Sequence, residues 1–452
     1  MLTIDSTAVQ NLTFDTVRKF LLRHEKEFGR LDKLQRYYLG KHDVLNRKKE
    51  SGVPNNKIVC NHAKEISDTA TGYFIGNPIT YTGKQLGKLT EWFGMCAIDN
   101  VDMSVAKDMS KFGRGYELIC MSDDEVSVPK SYCIHPKDIF VVYDDTVVHN
   151  PLFAVYYYPV FDADENHLGY KVWVYTKNIC MLFNTDTVFK QEILSEEHDI
   201  FFGDVPIIEY SNNEEQQGDF EQVIGLLDAY NLLMSDRVND KEQFVDAILL
   251  LINAMLGDDD EERNESIELL KQKKMLELPA ESDARYLTRT FDESGVEILK
   301  KALEQDIHKF ANVPCMSDEN FVGNASGVAM EYKLLGLEML TKIKESNFKK
   351  GLKRRIKMYG AIAKIKGCGT IGEAEPVFTR GLPKNIAELS DIVSQLSGIV
   401  PDKILLSILP FVKDAEEAIK LLKEQKAENA KETQQQFGTV NNSAFAGEVD
   451  EE

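Results

Sequence analysis

The stretch SDENFVGNASGVAMEYK, Ser317 to Lys333, places Gly323, Asn324, Ser326 and Gly327 just ahead of an apolar periodic run. Small residues that free the backbone before a helix are the ingredients of a phosphate cradle. A Walker loop also needs a lysine for the terminal phosphates and a hydroxyl for magnesium, in the order Gly-x-x-x-x-Gly-Lys-Ser/Thr. Here Val328 and Ala329 follow Gly327. The dinucleotide fingerprint wants a strand before its glycines, whereas this loop follows a helical segment ending near Asn312 and Pro314. Ser326 lacks the leading strand and the G-x-S-x-G order of a nucleophile elbow. The loop is small and mobile in character, without nucleotide chemistry.

Other candidate chemistry is equally incomplete. The acidic run Asp258, Asp259, Asp260, Glu261 and Glu262 suggests a divalent cation. An EF-hand loop begun at Asp258 would put Arg263 at the turn glycine and Leu269 at the bidentate glutamate, so a solvated acidic surface is the better reading. Asp162, Asp164 and Asn166 fail the same test and fit a hairpin turn. His62 and Glu65 lie one helical turn apart, but a zincin needs H-E-x-x-H, which leaves them as ordinary helix surface. No cofactor and no metal is expected, and no catalytic residue is assigned. A basic cluster, Lys349, Lys350, Lys353, Arg354, Arg355, Lys357, Lys364 and Lys366, crowds the end of a long helix. It reads as a solvated face favoured by the helix dipole, or as a contact with DNA phosphate or a neighbouring subunit.

The chain has 452 residues, enough for two to four structural units with sizeable cores. Lys plus Arg total 53 against 74 for Asp plus Glu, a net charge of −21 that opposes tight wrapping of nucleic acid. The N-terminus lacks the pattern of a secretory signal, and the longest apolar window, Val245 to Leu256, is too short for a membrane span. Seven scattered cysteines without C-x-x-C spacing indicate neither a disulfide framework nor a zinc site and fit a reducing compartment.

The elements that must position these residues form an α+β pattern. Helical spacing covers Phe14 to Gly40, Asn61 to Gly76, Leu86 to Trp92 and Val101 to Phe112. From Gly115 to about Tyr210, runs such as IFVVYDD, FAVYYYPVF and YKVWVYT read as antiparallel strands. A long helix is expected from Gln216 to Leu256, extended or broken near Asn239, then a second from Asp292 and a third from Gly327 to Ile365. Short helices follow at Ile386 to Gly398, Pro401 to Leu409 and Ala415 to Ala430, and the acidic tail reads as disordered.

Four blocks carry a family resemblance: YYLGKHDVLNRK (Tyr37 to Lys48), PNNKIVCNHAKEISDTATGYFIGNPITY (Pro54 to Tyr81), LLDAYNLLMSDRVNDKEQFVDAILLL (Leu226 to Leu251) and VPCMSDENFVGNASGVAMEYKLLGLEMLTKIKESNFKKGL (Val313 to Leu352). In this order they resemble the portal, or head-to-tail connector, proteins of tailed bacteriophages, in the siphophage branch of Gram-positive hosts. The resemblance implies residues 1–213 as a wing, 214–256 and 292–313 as paired stem helices, 257–291 as a clip, and 314–326 as a tunnel loop. It further implies 327–380 as a long wing helix and its return, 381–430 as a helical crown and 431–452 as a tail. It implies a ring, usually a dodecamer, at one capsid vertex in the virion, through which double-stranded DNA is packaged and ejected. Implied partners are the terminase large subunit, head completion proteins, and the capsid and scaffolding proteins. Asn320, Phe321, Gly323, Asn324, Ser326 and Gly327 would face DNA, and Asp258 to Glu262 would meet partners at the clip. A metal-dependent nucleic-acid enzyme using that acidic cluster is the alternative.

Overall fold

Apolar residues three and four apart build the N-terminal helices. After strand β1 (Leu2–Ile4), helices α1 (Phe14–Glu25) and α2 (Phe28–Tyr38) bury Phe14, Val17, Leu21, Leu31, Leu34 and Tyr37. The spacing runs straight across the break, which is why the single helix expected over Phe14 to Gly40 is two. Asn61 caps α3 (His62–Ile75), its side chain accepting from the Lys64 amide at 3.1 Å. Strand β2 (Thr80–Gly83) and helices α4 (Gly87–Met95) and α5 (Ile98–Phe112) follow, and Gly113, at φ 82°, closes α5 in the left-handed conformation.

The β-rich region comprises β3 (Arg114–Met121), β4 (Pro129–Ile134), β5 (Ile139–Asp144), β6 (Pro151–Phe161), β7 (His167–Tyr175), β8 (Ile179–Thr185), β9 (Glu192–Asp199) and β10 (Ile207–Ser211). One sheet has the order β1-β5-β6-β7-β8-β9, antiparallel except for β1 beside β5; a second has the order β10-β3-β4. Strand β9 is exposed along its length and carries Glu192, Glu196, Glu197 and Asp199, charges that discourage further pairing at this edge. Phe14, Val17, Phe20 and Leu21 of α1 pack on Phe140, Phe153, Tyr157, Val172 and Val174 of the larger sheet.

Next come α6 (Ile224–Val245), β11 (Ile248–Ile252), α7 (Asp260–Lys273), β12 (Asp283–Leu287), α8 (Glu293–Ala311), α9 (Gly327–Ile365) and β13 (Ala374–Val377), which pairs with β2. The helix expected to run to Leu256 thus stops at Val245. The run Ile-Leu-Leu-Leu-Ile is apolar at every position, so its periodicity cannot separate helix from strand. Its antiparallel partner β12 decides the matter.

The structure, a computed structural model, describes residues 1–9, 12–123, 127–245, 248–257, 259–273, 282–287, 293–316, 327–381, 386–409, 412, 418–427 and 429. It divides into Met1–Gly381 and a second unit, Leu382–Glu452, which contains α10 (Ile386–Leu396), α11 (Asp402–Ile408) and helical residues 418–427. Among the described residues, no helix is long and apolar enough to cross a membrane.

Helix α9, about 58 Å long at 1.5 Å per residue, is mounted by one face. Leu334, Leu337, Thr341, Lys344, Phe348, Leu352, Arg355 and Tyr359 recur at three- and four-residue steps, and all are buried. Phe348, Leu352 and Tyr359 join a core with Phe74 of α3, Trp92 of α4, Met109 of α5 and Tyr210 of β10. Within that core Arg355 Nε donates to both Glu117 carboxylate oxygens at 2.8 and 3.0 Å, and Tyr210 Oη donates to Glu117 Oε2 at 2.6 Å. Arg355 Nη2 lies 2.6 Å from Asp102 Oδ1, an ion-pair separation whose angle is not that of a hydrogen bond. Arg355, which the sequence grouped with residues contacting DNA or a neighbour, is therefore withdrawn from that group: it is fully buried and faces two acids of its own chain. Eleven residues earlier, Lys344 pairs with buried Asp219, which also accepts from Ser110 Oγ at 2.6 Å and Asn212 Nδ2 at 2.9 Å.

Two measurable consequences follow from this mount. At Gly351 an added Cβ would lie 2.2 Å from one Tyr210 ring carbon and 2.7 Å from two more. Gly351→Ala gains up to about 1 kcal/mol of helix propensity but meets an overpacking cost of about 1–3 kcal/mol against a ring held by Glu117. The expected net result is a lowered denaturation midpoint. Burial also pushes the Asp102 carboxyl up to about 6, against the pull of Arg355. The folded chain then holds a proton that the unfolded chain has released near its ordinary value of about 3.9. This group's contribution is therefore largest in acid, falls as pH rises through that window, and is level above it. Asp102→Asn should flatten that component of a pH series of denaturation midpoints; an unchanged slope would contradict the assignment.

Candidate functional site

Helices α6 and α8 form an antiparallel hairpin. Gln222 Nε2 donates to the Phe310 carbonyl at 2.5 Å, Arg237 Nη1 lies 2.8 Å from Glu297 Oε2, and Lys241 Nζ lies 3.3 Å from Glu293 Oε1. Strands β11 and β12 keep the same sense, with Ile248 opposite Leu287 and Ile252 opposite Asp283. Residue numbers fall on one side as they rise on the other, both between α6 and α8 and between β11 and β12. The helical part from Gln222 to Lys241 spans about 28 Å.

A polar zipper fastens this hairpin to the body. Asn231, Ser235 and Asn239 recur every four residues on α6 and are buried. Their side chains accept from the backbone amides of Cys60 at 2.8 Å, Ile58 at 3.0 Å and Asn56 at 2.6 Å. Two residues of extended chain advance about 6.6 Å and four residues of helix about 6 Å, so the match repeats without strain. Asp236 adds Arg47 at 2.7 Å and Lys49 at 3.2 Å, and Asp228 accepts from Tyr37 Oη at 2.7 Å.

The candidate site residues do not converge on one place. Asn320, Phe321, Gly323, Asn324 and Ser326 lie outside the described residues, and Gly327 is the first residue of α9. Asp258 also lies outside them. Asp259 caps α7, its Oδ1 accepting from the Glu262 amide at 2.9 Å, while Asp260, Glu261 and Glu262 occupy the first turn. Negative charge there complements the helix dipole, and Asp260 pairs with Arg263 at 3.1 Å. The acidic run thus has a structural explanation as a helix start.

Most of the basic strip is answered within the chain. Lys349 pairs with Glu345 at 2.8 Å, Lys353 with Glu375 at 3.1 Å and Arg354 with Asp204 at 3.1 Å. Lys350 donates to Asn347 at 3.2 Å, and Lys366 donates to the Ser127 carbonyl. Lys357 and Lys364 are exposed.

Sequence reading missed a second apolar face on α9. Tyr332, Leu335, Met339 and Ile343 are 75, 47, 59 and 51% exposed, spaced three, four and four residues apart. Set against the buried line from Leu334 to Tyr359, they make the first half of α9 apolar on two sides. That doubled pattern was visible in the sequence, but it blurs the amphipathic signal that usually marks a face. Glu338 and Glu345 on the same stretch hold Arg380 at 2.8 and 2.9 Å, tying the returning chain to α9.

Comparison with known proteins places this architecture. The family model described as phage portal protein, SPP1 Gp6-like, matches residues 18–432. The chain is similar to a portal protein of Clostridium phage phiCD119, with 26% identity over 86% of this chain and 91% of that protein. It is also similar to a portal protein of Bacillus phage SPP1, with 23% identity over 90% of this chain and 86% of that protein. Among solved structures, chains from the neck of an empty and of a native GTA particle, computed with C6 and C12 symmetry, match at 12% identity each. Their TM-scores are 0.42 and 0.47, covering 79 and 84% of this chain and 89 and 93% of theirs. The chain belongs to the SPP1 Gp6-like family of phage portal proteins, structural and non-enzymatic components of the head-to-tail connector at the portal vertex of the virion.

Proposed function

We propose that copies of this chain close into a ring, of twelve copies as the resemblance implies, around a channel wide enough for double-stranded DNA. The observation that carries this reading is the exposed line Tyr332, Leu335, Met339 and Ile343 on a helix whose opposite face is fixed in the core. A single chain leaves that line in water. A neighbour related by rotation covers it, and the repeated contact closes a ring. Exposed Ile298 and Leu299, 70 and 49% on α8, offer further apolar surface for such a contact.

In this reading α6 and α8 are the stem, and β11, α7 and β12 are the clip that meets the terminase motor during packaging and head completion proteins afterwards. The clip then begins at Ile248, nine residues before the boundary expected from the sequence. Residues 1–213 with α9 form the wing against capsid and scaffold, and 381–430 form the crown. Residues 314–326, between α8 and α9, are the loop presented to DNA, with Asn320, Phe321 and Asn324 approaching the duplex. A net charge of −21 supports a channel through which DNA slides, because each neutralised phosphate would add salt-dependent grip. The internal pairing of Lys349, Lys353 and Arg354 supports the same reading.

Leu335→Asp combined with Met339→Asp places charge in the proposed contact without touching the buried face. The expected outcome is a loss of high-mass rings in native mass measurement, with an unchanged circular dichroism spectrum; rings that persist at wild-type yield would contradict the contact. Shortening Gly323 to Gly327 should leave ring mass intact while reducing DNA filling of particles in a packaging assay. Normal filling would remove the loop from the mechanism.

A further inference from the structure

Three side chains where the end of α8 meets the start of α3 converge without an explanation in the portal reading. His62 and Glu65 lie on the first turn of α3, and His308 lies in the last turn of α8. Their ligand atoms all fall within 4.8 Å of one another. His62 Nδ1 is 3.1 Å and His308 Nε2 is 3.9 Å from Glu65 Oε2. The two imidazoles are nearly perpendicular, at 87°, and the Tyr230 ring packs edge-on against His62.

His308 is the informative member. Its Nδ1 is 3.0 Å from the Val313 carbonyl, which can only accept, so Nδ1 carries the proton. Neutral His308 then presents a bare lone pair at Nε2. That atom is buried, has no hydrogen-bond partner, and belongs to a residue only 5% exposed. It points at a carboxylate oxygen, so lone pair faces lone pair unless a positive charge stands between them. An imidazole whose other nitrogen donates to a backbone carbonyl is also how proteins orient a histidine for a metal.

We propose that His62, Glu65 and His308 bind a single divalent transition-metal ion of the zinc class, clamping the end of α8 to the start of α3. Two imidazoles and one carboxylate suit zinc, cobalt or nickel rather than magnesium or calcium. Bonds of about 2.0–2.2 Å in a tetrahedral site put ligand atoms about 3.3–3.6 Å apart. The observed separations bracket that range, so side-chain rotation closes the site and leaves a fourth position for water. The clamp would stiffen the junction at which α8 leads toward residues 317–326. Sequence spacing could not reveal it, because His308 comes from a different helix far along the chain.

The test uses the assembled full-length chain, stripped with a chelator and titrated with zinc or cobalt. The expected result is one ion per chain by calorimetry and elemental analysis, a raised thermal midpoint, and a cobalt spectrum without a thiolate charge-transfer band. Glu65→Gln and His308→Asn, each confirmed as folded by circular dichroism, should each weaken binding about 10-fold or more. Absence of stoichiometric binding, a thiolate band, or undiminished affinity in both variants would overturn the proposal.

Discussion

The described structure depends on a buried arginine held by two acids. Arg355 enters the core from α9 and meets Glu117 of β3 and Asp102 of α5, while Tyr210 of β10 closes the set through Glu117. Such a group is costly to bury, and removing one partner from a buried ion pair typically costs about 3–5 kcal/mol because the remaining charge is stranded. Its value here is directional. Apolar packing alone would let a long helix slide or rotate against the sheet, whereas Arg355 and Lys344, three helical turns apart, fix both the register and the face of α9. With one face locked inside, the line from Tyr332 to Ile343 has a defined outward direction.

The α6–α8 hairpin is joined to the body by a different kind of contact. Asn231, Ser235 and Asn239 could have been apolar, and an apolar stripe would have bound any greasy segment. Instead they accept from alternate amides of the segment from Asn56 to Cys60, a pattern satisfied only when helix and chain run in one register. Left unpaired, each of these buried side-chain oxygens would cost about 1–3 kcal/mol. The two devices share a logic: the long helices are positioned by polar contacts that tolerate one arrangement, and hydrophobic burial supplies the bulk of the stability.

Much of this was legible in the chain. The start of α3 at Asn61, the span of α9, the approximate extent of α8 and the run of antiparallel strands all follow from periodicity, caps and composition. What was not legible depended on partners distant in sequence. The run from Ile248 to Ile252 is apolar at every position, so only β12 identifies it as a strand. Arg355 sits among exposed lysines such as Lys353 and Lys357, and nothing local shows that Glu117 and Asp102 wait behind it. The acids of 259–262 read as a solvated acidic surface, and nothing local showed that Asp259 caps α7. The outward face of α9 escaped notice because its residues alternate with core residues of the same type.

The central claim is that α9, fixed by its buried charges, presents its outer apolar face to the next copy in a ring. The most direct measurement is an electron cryo-microscopy reconstruction of the purified assembly at a resolution that shows side chains. The account predicts a closed ring in which Tyr332, Leu335, Met339 and Ile343 of each copy are covered by a neighbour while Arg355 stays within its own core. A ring joined elsewhere with that face open to solvent, or a chain that remains monomeric, would contradict it.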